Sequence, residues 1–166
     1  PDTAAPRPYD NGLIPSVKIT VAGGVKWKLY NGSYPWIPEE ATLHSAENGH
    51  ASQPDINVSK QKNDEVIFYS GYIRVPEDGN YTFYLASDTK AFLRIHDAQV
   101  IDEDFDYKGK TERQASILLK AGLHPFKLYY KHDKKNESFL NLEWSGPGIS
   151  KQPIPKNIFF CDEAEK

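Results

Sequence analysis

The chain of 166 residues, of which 39% are hydrophobic and 13% aromatic, is long enough for one domain with a buried core. Its net charge is −3 and its lysines and arginines are scattered, which argues against a nucleic-acid partner. No apolar run has the length of a membrane-spanning helix, so we expect no membrane insertion. The single cysteine, Cys161, cannot form an internal disulfide, and we expect a half-buried thiol.

Short alternating runs of apolar and polar residues, separated by Pro and Gly turns, recur along the chain and favour an all-β fold. In chain order, we expect a first strand over 14–21 and a second over 25–30. Residues 34–63 have no clear period and predict a long irregular loop. The remaining elements are predicted as a hairpin over 66–87, strands over 91–96 and 100–101, a second hairpin over 115–130, and strands over 140–144 and 158–160. These roughly ten short strands have the spacing of an antiparallel sandwich or a barrel.

The segment 70–88 is the most informative part of the chain. It reads as a strand, a tight turn, a second strand and a polar loop. In the turn Pro76–Gly79, proline presets one φ angle, aspartate bonds its own backbone and glycine accepts a positive φ. Tyr81, Phe83 and Leu85 then alternate with less apolar residues, as expected of a strand with one buried face.

The tryptophans and histidines are interpreted as structural residues. Trp27 and Trp144 are each in phase with neighbouring aliphatic residues, which predicts that both lie in the core, and Trp36 is expected to anchor the long loop. The five histidines show no spacing typical of metal ligands, and no nucleophile has an evident base. We therefore do not expect the domain itself to be an enzyme.

Eight blocks of residues carry a resemblance to a known family. They are Val25–Gly32, Trp36–Pro38, Gly71–Phe83, Leu85–Asp88, Phe92–Asp97, Leu119–Tyr130, Leu140–Gly148 and Pro153–Pro155. In this order the blocks resemble the PA14 domain, which is found in many secreted carbohydrate-active enzymes, adhesins and toxins. The resemblance covers most of the chain and implies an antiparallel β-sandwich with long loops.

The expected organisation follows from this resemblance and from the polar ends of the chain. Residues 1–13 are predicted to be a linker or an N-terminal arm, 14–161 the PA14-like domain and 162–166 the start of a C-terminal linker. We expect a module of a larger bacterial protein that is secreted, periplasmic or exposed at the cell surface, and that is monomeric as an isolated domain.

The resemblance also implies where calcium would bind. Sugar-binding members of the family hold a calcium ion with two adjacent aspartates, which supply hard oxygen ligands at one point. Asp88 matches the first aspartate, but Thr89 replaces the second and Lys90 replaces the glycine that follows. We therefore expect no cofactor; calcium is disfavoured, and Asp88 would be its ligand only in a weakened site.

Two functions remain open from the sequence. The first is a non-catalytic carbohydrate-binding module of a glycoside hydrolase or polysaccharide sulfatase, with a glycan held by loops at one end of the sandwich. Its candidate ligand-binding residues are Asp88, Thr89, Lys90, His132, Asp133, Lys134 and Asn136. The lysines there, with Lys131 and Lys135, would suit an anionic glycan, although lysines also serve solubility. The alternative is an architectural module that packs against the parent catalytic domain without binding glycan.

Overall fold

A computed structural model describes residues 13–31, 47–56, 64–87, 90–96, 98–102, 112–132 and 140–162, with 98–102 described by the backbone alone. Within these ranges it contains twelve strands and a short 3-10 turn at Lys156–Ile158. The strands, in chain order, are β1 (Val21–Gly23), β2 (Val25–Asn31), β3 (Glu47–Ala51), β4 (Glu65–Val75), β5 (Gly79–Ser87), β6 (Lys90–Ile95), β7 (Ala98–Asp102), β8 (Arg113–Leu119), β9 (Gly122–His132), β10 (Leu140–Gly146), β11 (Ile149–Pro153) and β12 (Phe159–Asp162).

The strands form two sheets whose neighbours are all antiparallel, which confirms the predicted all-β sandwich. The larger sheet has the order β1-β12-β4-β9-β6-β7, and β2 joins it by pairing with β4 and with the outermost strand β3. The smaller sheet has the order β11-β10-β5-β8. Strand β4 is the centre of the larger sheet because β9 pairs with its whole length, while β2 and β12 share its other edge.

The core lies between the sheets, where their inward-facing side chains meet. Its fully buried members include Val25, Leu29, Ile67, Ile73, Leu93, Leu128 and Tyr130 from the larger sheet, and Tyr81, Phe83, Leu85, Leu119 and Trp144 from the smaller. The alternation predicted for β5 is therefore confirmed, since every second side chain of that strand is in the core.

The tryptophans and the cysteine are placed by the same alternation. Trp144 is 2% exposed, which confirms the core prediction, and Trp27 is half-buried against the edge of the core. Trp36 lies outside the described residues. Cys161 lies in β12 as a thiol outside any disulfide, and at 4% exposed it is more deeply buried than predicted.

The two predicted hairpins are wrong, because each connects one sheet to the other. In a hairpin Val75 would pair with Gly79, but Val75 pairs with Gly122 and Gly79 pairs with Leu119. The turn after β4 and the turn after β8 therefore cross between the sheets side by side. They are tied together by the backbone N–H of Ala121, which donates to Asp78 Oδ1 at 2.7 Å. Alternation indicates which face of a strand is buried but not which strand pairs with it. The sequence therefore predicted a hairpin between consecutive strands, although each of them pairs with other strands.

Two further expectations are corrected by the pairing. Of the strand predicted over 14–21, residues 14–20 form only isolated bridges, Ile14 to Leu119 and Val17 to Leu123, since Pro15 has no N–H for a continuous ladder, and Val21 begins β1. The long irregular loop predicted over 34–63 contains strand β3, whose polar, Gly-containing sequence has low β-propensity and which is held by pairing with β2. Among the described residues, no helix is long and apolar enough to cross a membrane.

Candidate functional site

The strands that flank the predicted glycan-binding segments have neighbouring ends in both sheets. Strand β5 ends at Ser87, which pairs with Leu140 at the start of β10. Strand β6 begins at Lys90, which pairs with Lys131 near the end of β9. The strand ends that flank 88–89 and 133–139 are thus neighbours, and this end of the molecule is termed the loop end.

Two of the seven predicted ligand-binding residues are described at the loop end. Lys90 is partly exposed on β6. His132 is 1% exposed; its Nδ1 lies 3.3 Å from the hydroxyl of Tyr130, and its register partner is the buried Glu65. A side chain at this depth supports the floor of the loop end rather than its solvent-facing surface. Asp88, Thr89, Asp133, Lys134 and Asn136 lie outside the described residues, so their roles stay predictions.

The described residues include no group of three His, Cys, Asp or Glu side chains that could hold a metal ion. The calcium hypothesis depends on Asp88, which is not among them. The expectation that no cofactor is bound therefore stays a prediction.

A groove that the sequence did not predict crosses the outer face of the larger sheet. Because neighbouring strands are in register, outward-facing residues of β3, β2, β4 and β9 form two adjacent rows. The first row is Asn48, Lys28, Phe68 and Tyr129, and the second is His50, Lys26, Ser70 and Lys127. These eight residues line a cavity of about 600 Å³, termed the outer groove. Its volume lies within the range of about 300–1,000 Å³ typical of small-molecule sites.

A smaller cavity of about 290 Å³ adjoins the outer groove and shares Lys26, Ser70 and Lys127 with it. Its other lining residues include His96 and Asp162. Asp162 is the single carboxylate among the described residues that line the two cavities. The shared region is therefore dominated by two lysines on either side of a serine.

Aromatic rings make the first row of the outer groove rigid. The ring centroids of Phe68 and Tyr129 are 4.8 Å apart, and those of Tyr129 and Phe92 are 4.3 Å apart with planes inclined by 19°. Tyr30 contacts the other side of Phe68 at 5.4 Å. Such contacts add about 0.5–1.5 kcal/mol per pair beyond the burial of area. Tyr129 is thus held on both sides and presents a fixed surface.

The sequence contained a weak signal for the outer groove. Strands β2, β4 and β9 alternate inward-facing residues with polar, cationic or aromatic ones along the groove, as Lys26 and Lys28 do around Trp27. That alternation identifies an outward face of each strand but not its neighbours. The pairing of residues 26, 70 and 127 depends on register between strands distant in the chain.

A pair of histidines lies at the edge of the smaller cavity. His124 is fully buried; its Nε2 is 2.6 Å from the carbonyl oxygen of Lys120 and its Nδ1 is 2.7 Å from His96 Nε2. A carbonyl only accepts, so His124 Nε2 carries a hydrogen and, in the neutral ring, Nδ1 accepts from His96. Burial lowers the pKa of His124, against a smaller opposing effect of the bond to Lys120. When one of the two rings gains a proton, both hydrogen bonds can still form. When both rings are protonated, the two facing nitrogens each carry a hydrogen and the bond between the rings is lost.

Comparison with known proteins gives a family match. The profile described as PA14 domain matches residues 24–157, which is most of the chain. No curated protein matches the chain.

Solved structures with the same fold come from proteins of different kinds. An anti-sigma factor domain-containing protein from Clostridium clariflavum is 24% identical with a TM-score of 0.67, and the match covers 88% of this chain and 50% of that one. The Epithelial Adhesin 9 A domain from Candida glabrata, solved with Galβ1-4GlcNAc, is 13% identical with a TM-score of 0.63 and coverages of 88% and 93%. The PA14 domain of the MpAFP antifreeze protein is 15% identical with a TM-score of 0.66 and coverages of 89% and 95%. The chain thus spans about half the length of the first structure and nearly all of the other two, and at these identities the likeness shows the fold alone.

Proposed function

Because this chain belongs to the PA14 domain family, we propose that it is a non-catalytic carbohydrate-binding module. The proposed parent is a secreted carbohydrate-active enzyme, either a glycoside hydrolase or a polysaccharide sulfatase, that acts outside the cell, in the periplasm or at the cell surface. The observation that carries the proposal is the pairing of Lys90 with Lys131 and of Ser87 with Leu140. This pairing joins the flanks of both candidate segments at the loop end.

The construction of the loop end suits recognition. Long connections supported by a rigid sandwich are where binding residues concentrate in such folds. Lys90 provides a cationic hydrogen-bond donor at the edge of this surface, while His132 and Glu65 form a buried polar floor below it. The adhesin domain of similar fold that was solved with Galβ1-4GlcNAc supports a saccharide as the ligand class.

The proposed binding does not depend on calcium. A calcium site needs several oxygen ligands at one point, and Thr89 removes one carboxylate of the family's aspartate pair. Lys90 adds a positive charge at the next position, which opposes a second cation. Asp88 alone is a poor substitute for the pair.

The test is a glycan array probed with the full 166-residue chain, first with calcium and then with EDTA. The array carries neutral and sulfated polysaccharides, and the variant Lys90→Gln is compared with Lys156→Gln, which makes the same charge change at an exposed position of the 3-10 turn. We expect binding that EDTA does not change and that Lys90→Gln weakens while Lys156→Gln does not.

Other outcomes of the array have defined meanings. Binding that EDTA abolishes would refute the metal-independent mechanism and would show that Asp88 finds further ligands. Absence of binding to every polysaccharide would refute the carbohydrate function and favour the architectural module, which the loss of the second aspartate at Thr89 already suggests.

A further inference from the structure

We propose that the outer groove is a second binding site, specific for anionic saccharides, and separate from the loop end. The inference rests on the proposed function in one respect, that the ligands of this chain are carbohydrates. The location and charge of the site come from the larger sheet alone.

The centre of the proposed site is Ser70, flanked by Lys26 on β2 and Lys127 on β9. Neighbouring strands lie roughly 4.8 Å apart, so the backbones that carry the two lysines are about 10 Å apart. Serine is small and leaves space between them. The two flexible ammonium groups can therefore converge on one carboxylate or sulfate above the serine hydroxyl, which is itself a hydrogen-bond donor.

The arrangement of charge favours an anion. Lys127 is directly opposite Arg94 on β6, and like charges in opposite positions of paired strands destabilise a sheet. Lys127 is exposed and forms no ion pair within the described part of the chain. Lys28 adds a third lysine in the neighbouring row. A bound anion would reduce the repulsion between Lys127 and Arg94. Asp162, the single carboxylate among the described residues that line the two cavities, belongs to the smaller one, so the outer groove is complementary to negative charge.

The aromatic row supplies the second requirement of a saccharide site. Tyr129 is partly exposed and is held between Phe68 and Phe92, so little side-chain entropy is lost when a ligand packs on it. Asn48 and His50 line the end of the groove on β3 with polar atoms suited to hydroxyl groups. A sugar ring with one anionic substituent can therefore contact an apolar ring edge, polar side chains and paired lysines together.

The same features favour a saccharide over a nucleic acid. A single strand of nucleic acid is held by several exposed aromatic rings along a basic channel. Here Phe68 is 5% exposed, the cavity is confined to two rows, and the net charge of the chain is −3. These properties fit a short anionic unit rather than an extended polyanion.

The experiment measures binding of defined oligosaccharides by titration calorimetry. The probes are tetragalacturonate, which carries only carboxylates, a κ-carrageenan tetrasaccharide, which carries only sulfates, neutral maltotetraose, and an eight-nucleotide thymidine strand. The proteins are wild type, the double variant Lys26→Gln/Lys127→Gln, the single variants Lys127→Glu and Lys90→Gln, and the control Lys18→Gln/Lys156→Gln. Each substituted lysine is exposed or partly exposed, and a thermal melt checks that each variant is folded.

We expect at least one anionic tetrasaccharide to bind and the neutral one to bind more weakly. The double variant should lower the association constant at least about tenfold, because it removes charge-assisted hydrogen bonds, and added salt should weaken wild-type binding. Lys127→Glu should weaken binding at least as much. The control should leave it within a factor of about two. The two anionic probes distinguish carboxylate from sulfate as the recognised group.

Three results would overturn the inference. Anionic binding that persists in the double variant but is lost in Lys90→Gln would place the ligand at the loop end, leaving the carbohydrate function intact. Tighter binding of the thymidine strand than of any saccharide would reject the saccharide class. Failure of all three tetrasaccharides to bind would reject this inference, even if sodium sulfate shifted the NMR signals of the Ser70 and Lys127 amides. The proposed function would be rejected only if the glycan array also showed no binding.

Discussion

Replacement of Trp144 by phenylalanine should change the stability of the domain much less than its burial suggests. Trp144 is 2% exposed, and its ring centroid lies 5.6 Å from that of Tyr81 and 6.4 Å from that of Phe83. Its indole Nε1 is buried and has no hydrogen-bond partner among the described residues. Phenylalanine keeps the aromatic contacts and removes the unsatisfied donor.

The expected magnitude follows from two opposing effects. The smaller ring loses about 1–2 kcal/mol of buried contact, and removal of an unpaired buried N–H regains about 1–3 kcal/mol. The free energy of unfolding of Trp144→Phe should therefore lie between about 1 kcal/mol below and about 2 kcal/mol above that of wild type, whereas Trp144→Ala should lose about 3–5 kcal/mol through the cavity that it leaves.

The assay is urea unfolding followed by far-UV circular dichroism. Phe83→Leu is the matched control, since it reduces a neighbouring core ring without removing a polar atom and should lose about 1 kcal/mol with no compensation. A loss of more than 3 kcal/mol for Trp144→Phe, with an unchanged spectrum, would refute the reasoning. It would mean that the indole N–H is satisfied in the folded protein.

Three further predictions use the same unfolding assay or thiol chemistry. Burial lowers the pKa of His124 in the folded state, so the unfolded chain binds more protons below about pH 6.5. The difference in free energy of unfolding between wild type and His124→Gln should therefore be largest above that pH and should decrease as the pH falls to 5. A difference that does not change with pH would refute this prediction. Gly71→Ala should cost about 1–3 kcal/mol because its Cβ would collide with the carbonyl oxygen of Phe160, whereas Gly23→Ala, with nothing near its Cβ, should stay within about 0.5 kcal/mol; equal losses would contradict this packing. Cys161 is buried, so a thiol reagent should label it at least about a hundredfold faster in urea than in buffer, and rapid native labelling would show that β12 opens.

The family's motifs made the fold class predictable because each motif is local. The turn at Pro76–Gly79 and the alternation of Tyr81, Phe83 and Leu85 are encoded within a few residues, and both are present in the structure. Strand β3 was missed for the converse reason: its own residues have little β-propensity, and its pairing with β2 holds it in place.

The candidate loop end was predictable in part. The sequence singled out Asp88, Thr89 and Lys90 and the turn that begins at Lys131, and the structure shows that Lys90 pairs with Lys131; whether these residues bind a ligand stays a prediction. His132 is in phase with Phe126, Leu128 and Tyr130, so alternation alone places it on the inward face of β9. Whether this end of the strand is covered depends on where the opposite sheet ends, which the sequence does not give.

The sequence by itself determined the all-β class, the inward-facing residues of β5, the turn at Pro76–Gly79 and the family that the motifs resemble. Only the tertiary structure decided that the turn after β4 crosses between the sheets, since period-2 alternation is the same in a hairpin and in a crossing. The outer groove, too, was decided only by the tertiary structure. Lys26, Ser70 and Lys127 are about fifty residues apart in the chain and become neighbours through register, which is set by the closure of the whole sheet rather than by any local pattern.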